Sequence, residues 1–188
     1  MTENIIIKNQ PFTKSEAKIV QAEIRKSPDI TGYSLRELLW QKNVFKAYKD
    51  KEFAGACNNF DFPPWLPSGL CPAETDGETG SGFWTELSGF LVLPKFRGQG
   101  IGKLLYKSAF QDAEDRKRNI YVVSCNPAMQ KIMRGSNLTI ITKFRQLPRV
   151  IRLHSLSFII SWYRLFETIR KALFMKKSGK FIFGYKIF

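Results

Sequence analysis

Phe90-Leu91-Val92-Leu93-Pro94-Lys95-Phe96-Arg97-Gly98-Gln99-Gly100-Ile101-Gly102-Lys103-Leu104-Leu105 passes from an apolar, strand-like run through a glycine-rich turn into an amphipathic helix. The first N–H groups of a helix lack intrahelical acceptors, and the macrodipole adds about half a positive charge at that end. An anion bound there satisfies both. Glycine at 98, 100 and 102 removes the Cβ atoms that would hold a ligand away from the amides. The stretch therefore reads as a pyrophosphate cradle.

Spacing narrows the kind of cradle. A triphosphate loop GxxxxGK[ST] would need glycine at 97 and a hydroxyl at 104, where Arg97 and Leu104 stand. A dinucleotide fingerprint GxGxxG starting at Gly98 would need glycine in place of Lys103. What remains is R-x-x-G-x-G. With its flanks, Glu86 and Leu87, Phe90 to Val92, Pro94, Phe96, Leu104 and Leu105, this pattern resembles the GNAT N-acetyltransferase superfamily. In that family, (Q/R)-x-x-G-x-(G/A) holds the pyrophosphate of acetyl-coenzyme A.

The resemblance implies an α/β (α+β) fold, with a mixed, mostly antiparallel twisted sheet of about six or seven strands and helices on both faces. It implies one acetyltransferase domain over residues 1–188, to which an amphipathic C-terminal helix is added. It also implies transfer of an acetyl group from acetyl-CoA to a primary amine, small-molecule or protein, by direct attack in a ternary complex without a metal. The alternative is a catalytically weak member of the fold that binds acyl-CoA or a polyanion.

Carried onto this chain, the resemblance assigns pantetheine and thioester contacts to Phe90, Leu91 and Val92. The pyrophosphate goes to the amides of Arg97, Gly98, Gln99, Gly100, Ile101, Gly102 and Lys103. Asn126 matches a coenzyme contact and equally suits a helix cap before Pro127. Glu86 occupies a position where some members carry a general base, and an ion-paired strand residue is the plainer role. Its even separation from Val92 puts both on one sheet face unless a bulge intervenes. Where many members place a proton-donating tyrosine, this chain has Met133. Tyr121, five residues before Asn126, is the remaining candidate acid, with a core role as its alternative.

Charge bears on partners. The formal net charge of +14 attracts coenzyme A, and equally RNA, DNA or an anionic membrane. From Lys143 onward the only acid is Glu167, whereas Asp61, Glu74, Asp76, Glu78 and Glu86 fall in or beside a proline-rich loop over 58–83. Acids there, beside a cleft, would favour a cationic amine. Three scattered cysteines with the single histidine, His154, suggest neither a disulfide framework nor a zinc site. Cys125 reads as a buried free thiol. Residues 1–10 lack the pattern of a secretion signal, so a cytoplasmic location is expected.

Periodicity predicts strands over 5–8, 44–48, 53–57, 84–93, 120–124, 138–144 and 181–187. Helices are predicted over 13–24, 34–41, 101–116, 127–134 and 155–175. The last interleaves Leu156, Ile160, Tyr163, Ile169 and Leu173 with Arg164, Glu167, Arg170 and Lys171. It suits a cover for the sheet or a basic surface for a membrane or nucleic acid.

Overall fold

The computed structural model describes residues 4–62, 83–156 and 162–188. In chain order the elements are β1 (Ile5–Asn9), α1 (Lys14–Lys26), α2 (Leu35–Trp40), β2 (Val44–Lys49), β3 (Glu52–Phe62) and β4 (Trp84–Val92). There follow α3 (Ile101–Asp115), β5 (Asn119–Ser124), α4 (Pro127–Arg134), β6 (Thr139–Ile141), α5 (Arg149–Leu156), α6 (Trp162–Phe174) and β7 (Ile182–Lys186). The strands form one seven-stranded sheet in the order β1-β2-β3-β4-β5-β7-β6. Only β4 and β5 pair in parallel, with α3 as the crossover between them. The mixed, mostly antiparallel sheet expected from the sequence is the one observed.

Alternation along the strands sends side chains to two differently covered faces. Phe45, Ala54, Leu87, Ile120 and Val122 pack against Ile101, Leu105 and Ala109 of α3 and Met129 of α4. On the other face, Val44, Phe53, Ala56 and Leu91 meet Ala17, Val20 and Ile24 of α1 and Leu38 of α2. Further along that face, Phe62, Trp84 and Tyr121 meet Leu147 and Ile151 at the start of α5. Capping boxes start both N-terminal helices, Thr13 with Glu16 and Ser34 with Glu37.

One irregularity in β4 matters for the site. Ala56 pairs with Leu91 and Asn58 with Ser88, so two steps of β3 oppose three of β4. The extra residue is a bulge, with Gly89 at φ +64°. A Cβ on Gly89 would also lie 2.3 Å from Asn58 Oδ1. The bulge swaps the faces: Glu86 precedes it and points toward α5, whereas Phe90 and Val92 follow it and pack with the α3 cluster. The even spacing that would have put Glu86 and Val92 on one face is overturned for that reason.

The predicted elements differ from the observed ones in three places. Strand β3 runs on to Phe62, taking up the start of the segment read as irregular. The remainder, with Trp65, Cys71 and the acids Glu74, Asp76 and Glu78, lies outside the described residues. Strand β6 is short, because residues 144–146 turn into a 3₁₀ helix. The single helix expected over 155–175 gives way to α5, which begins at Arg149, and α6 from Trp162. Leu147, Ile151 and His154, at positions i, i+4 and i+7, face the sheet and set the earlier start. Helix α6 is no sheet cover, because its buried residues are Glu167 and Lys171.

Candidate functional site

After Leu93, a 3₁₀ turn over Pro94–Phe96 leads into two left-handed glycines, Gly98 at φ +80° and Gly100 at φ +79°. Both conformations suit glycine, and neither would-be Cβ has an atom within 4 Å, so the space over the turn is open. Gly100 is the N-cap of α3 and has no side chain to serve the helix start. The Arg97 amide donates to Pro94 O, and the Lys103 amide to Gly100 O. Among the described residues, the amides of Gly98, Gln99, Gly100, Ile101 and Gly102 between them find no protein acceptor. Five N–H groups at a helix start, with the dipole behind them, make an anion site. Arg97 Nε is tied back to Val92 O at 3.2 Å, and Gln99 accepts from Lys49 Nζ at 2.7 Å.

Beside this turn, the sheet opens. Pairing between β4 and β5 runs from Trp84 with Asn119 to Leu87 with Val122 and stops there, although β4 continues to Val92. The edge of β4 from Ser88 onward is therefore unpaired on the β5 side. A cleft of about 1000 Å³ fills the opening. Its lining includes Gly98, Gly100 and Gly102 at one end and Glu86 and Tyr121 at the other, with Phe90, Leu91 and Val92 between.

Glu86 is buried, and its Oε2 lies 3.0 Å from Nε2 of His154, which α5 brings across the sheet. With Glu86 ionised, Nε2 carries the proton and donates it to the carboxylate. The imidazole is stacked on Phe62, with ring centroids 3.7 Å apart and planes within 3°. The carboxylate thus has a fixed partner, itself held by an aromatic face. Glu86 also borders a small second cavity, shared with Tyr33, Asn58, Ser88 and Arg164. Arg164 of α6 bonds Glu37 at 2.8 Å and lies 4.7 Å from the Tyr33 ring centre.

Burial, then the charge of Glu86, pushes the Tyr121 hydroxyl well above the ordinary tyrosine range. Tyr33 is raised by the same two causes in the same order. Both stay protonated at neutral pH. For Tyr121, the Ser155 hydroxyl pulls the other way but is outweighed. Met133 is fully buried in the α3 cluster.

Asn126 lines the cleft, and its side chain caps α4. Oδ1 accepts from the amides of Ala128 and Met129, and Nδ2 donates to Asp29 at 3.1 Å. Burial raises the Asp29 carboxyl, but hydrogen bonds from Ser178, then Asn126 and Cys125, outweigh it and hold the group below its ordinary value. Cys125 is a buried free thiol, as expected.

His154, Asp29, Tyr33 and Arg164 enter the site without a local signal in the sequence. No spacing rule links residues 86 and 154, because the contact is made by α5 docking on the sheet. Among the described residues, no group of three His, Cys, Asp or Glu side chains could hold a metal ion.

Comparison with known proteins follows the same outline. The model of the acetyltransferase (GNAT) family matches residues 17–134. No curated protein matches the chain. Among solved structures, N-acetylglutamate synthase from Neisseria gonorrhoeae, complexed with coenzyme A and N-acetyl-glutamate, superposes with a TM-score of 0.62 at 12% identity. That match covers 97% of this chain and 35% of the synthase, so the chain spans about a third of that protein's length. Rv2747 from Mycobacterium tuberculosis, in complex with CoA and NLQ, gives 0.60 at 12% identity, over 95% of this chain and 97% of that one. Arabidopsis thaliana NAA60 with a bisubstrate analogue gives 0.54 at 13%, over 73% and 85%. Identities this low speak for the fold alone. With the family model covering more than half of its length, the chain belongs to the GNAT acetyltransferase family.

Proposed function

We propose that the protein transfers an acetyl group from acetyl-CoA to a primary amine. One observation carries this reading: a single cleft runs from the unpaired amides at the start of α3, among them Gly98, Gly100, Ile101 and Gly102, to a buried carboxylate. A diphosphate and a thioester on one long, flexible arm would need such a separation. The structures of N-acetylglutamate synthase and Rv2747, both with coenzyme A, support a coenzyme of that kind.

In this mechanism, the amides of Gly98 through Gly102 hold the diphosphate, each charge-assisted bond contributing roughly 1.5 to 3 kcal/mol. The unpaired edge of β4 at Phe90, Leu91 and Val92 orients the pantetheine arm as an added strand would be oriented. When bound, acetyl-CoA supplies the thioester carbonyl. Glu86, held by His154, takes a proton from the incoming ammonium group. The freed nitrogen then bonds to the acyl carbon as the carbon–sulfur bond breaks; the sulfur leaves with the electron pair, and the nitrogen sheds its second proton as the amide forms. Tyr121, kept protonated by burial and by Glu86, returns a proton to that sulfur and is reprotonated by the one the nitrogen sheds; Tyr33, raised by the same causes and lining the same cleft, is the second hydroxyl there. Most of the acceleration comes from positioning.

Thiol release from acetyl-CoA, followed across a panel of amino acids, peptides and polyamines, tests the proposal. Amine-dependent release supports it. Tight coenzyme binding without release for any amine would favour the weaker reading, a binding protein built on this fold.

A further inference from the structure

Helix α6 is built inside out. Trp162, Phe166, Ile169 and Leu173 recur at i, i+4, i+7 and i+11, which is one helical face. That face points to solvent, the four residues being 84%, 65%, 50% and 71% exposed, with Phe174 beside them at 79%. The opposite face is polar and packed inward.

This orientation is held by specific contacts. Lys171 Nζ donates to the carbonyls of Ile24 and Ile30 at 2.6 and 2.7 Å, closing the end of α1. Arg170 reaches Arg25 O at 2.8 Å and pairs with Glu167 at the same distance. Glu167 itself packs over Gly32, where an added Cβ would come within 2.6 Å of the Glu167 Cβ. Arg164 pairs with Glu37 of α2. Rolling α6 to bury its aromatic face would break every one of these. The exposed stripe is therefore a fixed feature of the fold.

Charge selects what covers it. Residues 143–188 carry eleven Lys and Arg and one acid, Glu167, which is buried. Lys176, Lys177 and Lys180 follow directly from the exposed end of the helix and are themselves exposed. Two copies meeting through this face would oppose cation to cation with no free carboxylate between them. An RNA would meet the cations and leave Ile169 and Leu173, the aliphatic part of the stripe, without an apolar partner.

We propose that α6 docks this protein on the surface of an anionic lipid bilayer. The stripe enters the headgroup boundary, Trp162 lies at its N-terminal end, and the lysines after the helix contact lipid phosphates. A helix that lies in the interface plane has this combination of an apolar face and adjacent cations. A 13-residue helix is about 20 Å long, too short to span the hydrocarbon core.

The test is co-flotation of the full-length protein with phosphatidylcholine vesicles, with and without about a third phosphatidylglycerol. The protein is expected to float with the anionic vesicles at least about tenfold better than with neutral ones, less so as salt rises. Phe166→Glu with Leu173→Glu is expected to abolish flotation. Lys176→Glu with Lys177→Glu, which leaves α6 untouched, is expected to weaken it about tenfold or more. Coenzyme A affinity should be unchanged in both variants, which separates this proposal from the catalytic one. The proposal is overturned by no flotation, by equal binding to neutral vesicles, or by a dimer in lipid-free solution that Phe166→Glu with Leu173→Glu converts to monomer. Preferential binding of RNA over anionic vesicles at equal salt would also overturn it.

Discussion

Nε2 of His154 lies 3.0 Å from Oε2 of Glu86, across 68 residues of sequence and between two different layers of the fold. The strand brings the carboxylate to the end of the cleft, and α5 brings the imidazole over it. Phe62, flat against the imidazole, fixes the ring plane. A carboxylate buried among apolar side chains needs such a partner, because an unpaired one would bear the full desolvation penalty.

Glu86→Gln is expected to lower kcat/KM by about 10²- to 10⁴-fold, the usual loss when a positioned general base is removed. Affinity for coenzyme A, measured by calorimetry, should stay within about threefold, because the diphosphate amides are at the far end of the cleft. An equal loss of coenzyme affinity would place Glu86 in binding rather than in proton transfer.

In the proposed mechanism His154 acts through Glu86 and touches no reacting atom, so its variants should grade. His154→Gln keeps a donor and should retain more activity than His154→Ala. The alanine variant also empties the stack against Phe62, costing about 2 to 4 kcal/mol in a urea melt. If the two variants lose kcat equally at matched stability, the hydrogen bond contributes nothing to catalysis.

At the turn, Gly98→Val and Gly100→Asp each put a side chain into the left-handed region and into the ligand's space. The aspartate adds a negative charge at the proposed diphosphate site. A loss of at least about 100-fold in coenzyme affinity is expected, roughly one charge-assisted bond plus strain. Gly102→Ala is expected to be mild, since its Cβ would find Val92 at 3.7 Å, an ordinary contact.

Glu16 gives the fold an acid limit. Burial raises its carboxyl, but hydrogen bonds from Tyr48, Thr13 and Lys46 prevail and bring the pKa down to about 2. A group depressed in the folded state stabilises it fully above its unfolded pKa. Stability should therefore fall as pH drops from about 4.5 toward 2, by on the order of 2 kcal/mol, with Glu16→Gln flattening that part of the curve. Urea midpoints across this range provide the measurement.

Gly32→Ala tests the seat of α6. The added Cβ meets the Glu167 side chain at 2.6 Å, and Glu167 is locked by Arg170 and packed over α1. A destabilisation of about 1 to 3 kcal/mol is expected, the range for overpacking a tight contact. An unchanged thermal midpoint would mean that α6 can shift away from α1.

The parts of this protein legible in the sequence are those made by neighbours along the chain. Arg97 through Gly102 specify a turn and a helix start because glycine conformation and unpaired amides are local properties. Alternation in β4 and β5, and the Thr13–Glu16 capping box, are local as well. The tertiary structure alone decided the remainder. A one-residue bulge at Gly89 turned Glu86 and Val92 to opposite faces, because strand register depends on the partner strand and not on the strand's own pattern. The pairing of His154 with Glu86 came from the docking of α5. The outward turn of Trp162, Phe166, Ile169 and Leu173 came from Lys171 and Arg170 finding carbonyl acceptors at Ile24, Ile30 and Arg25. Helical periodicity shows that a face is apolar. Which way that face points is settled by where the buried charges on the other side find their partners.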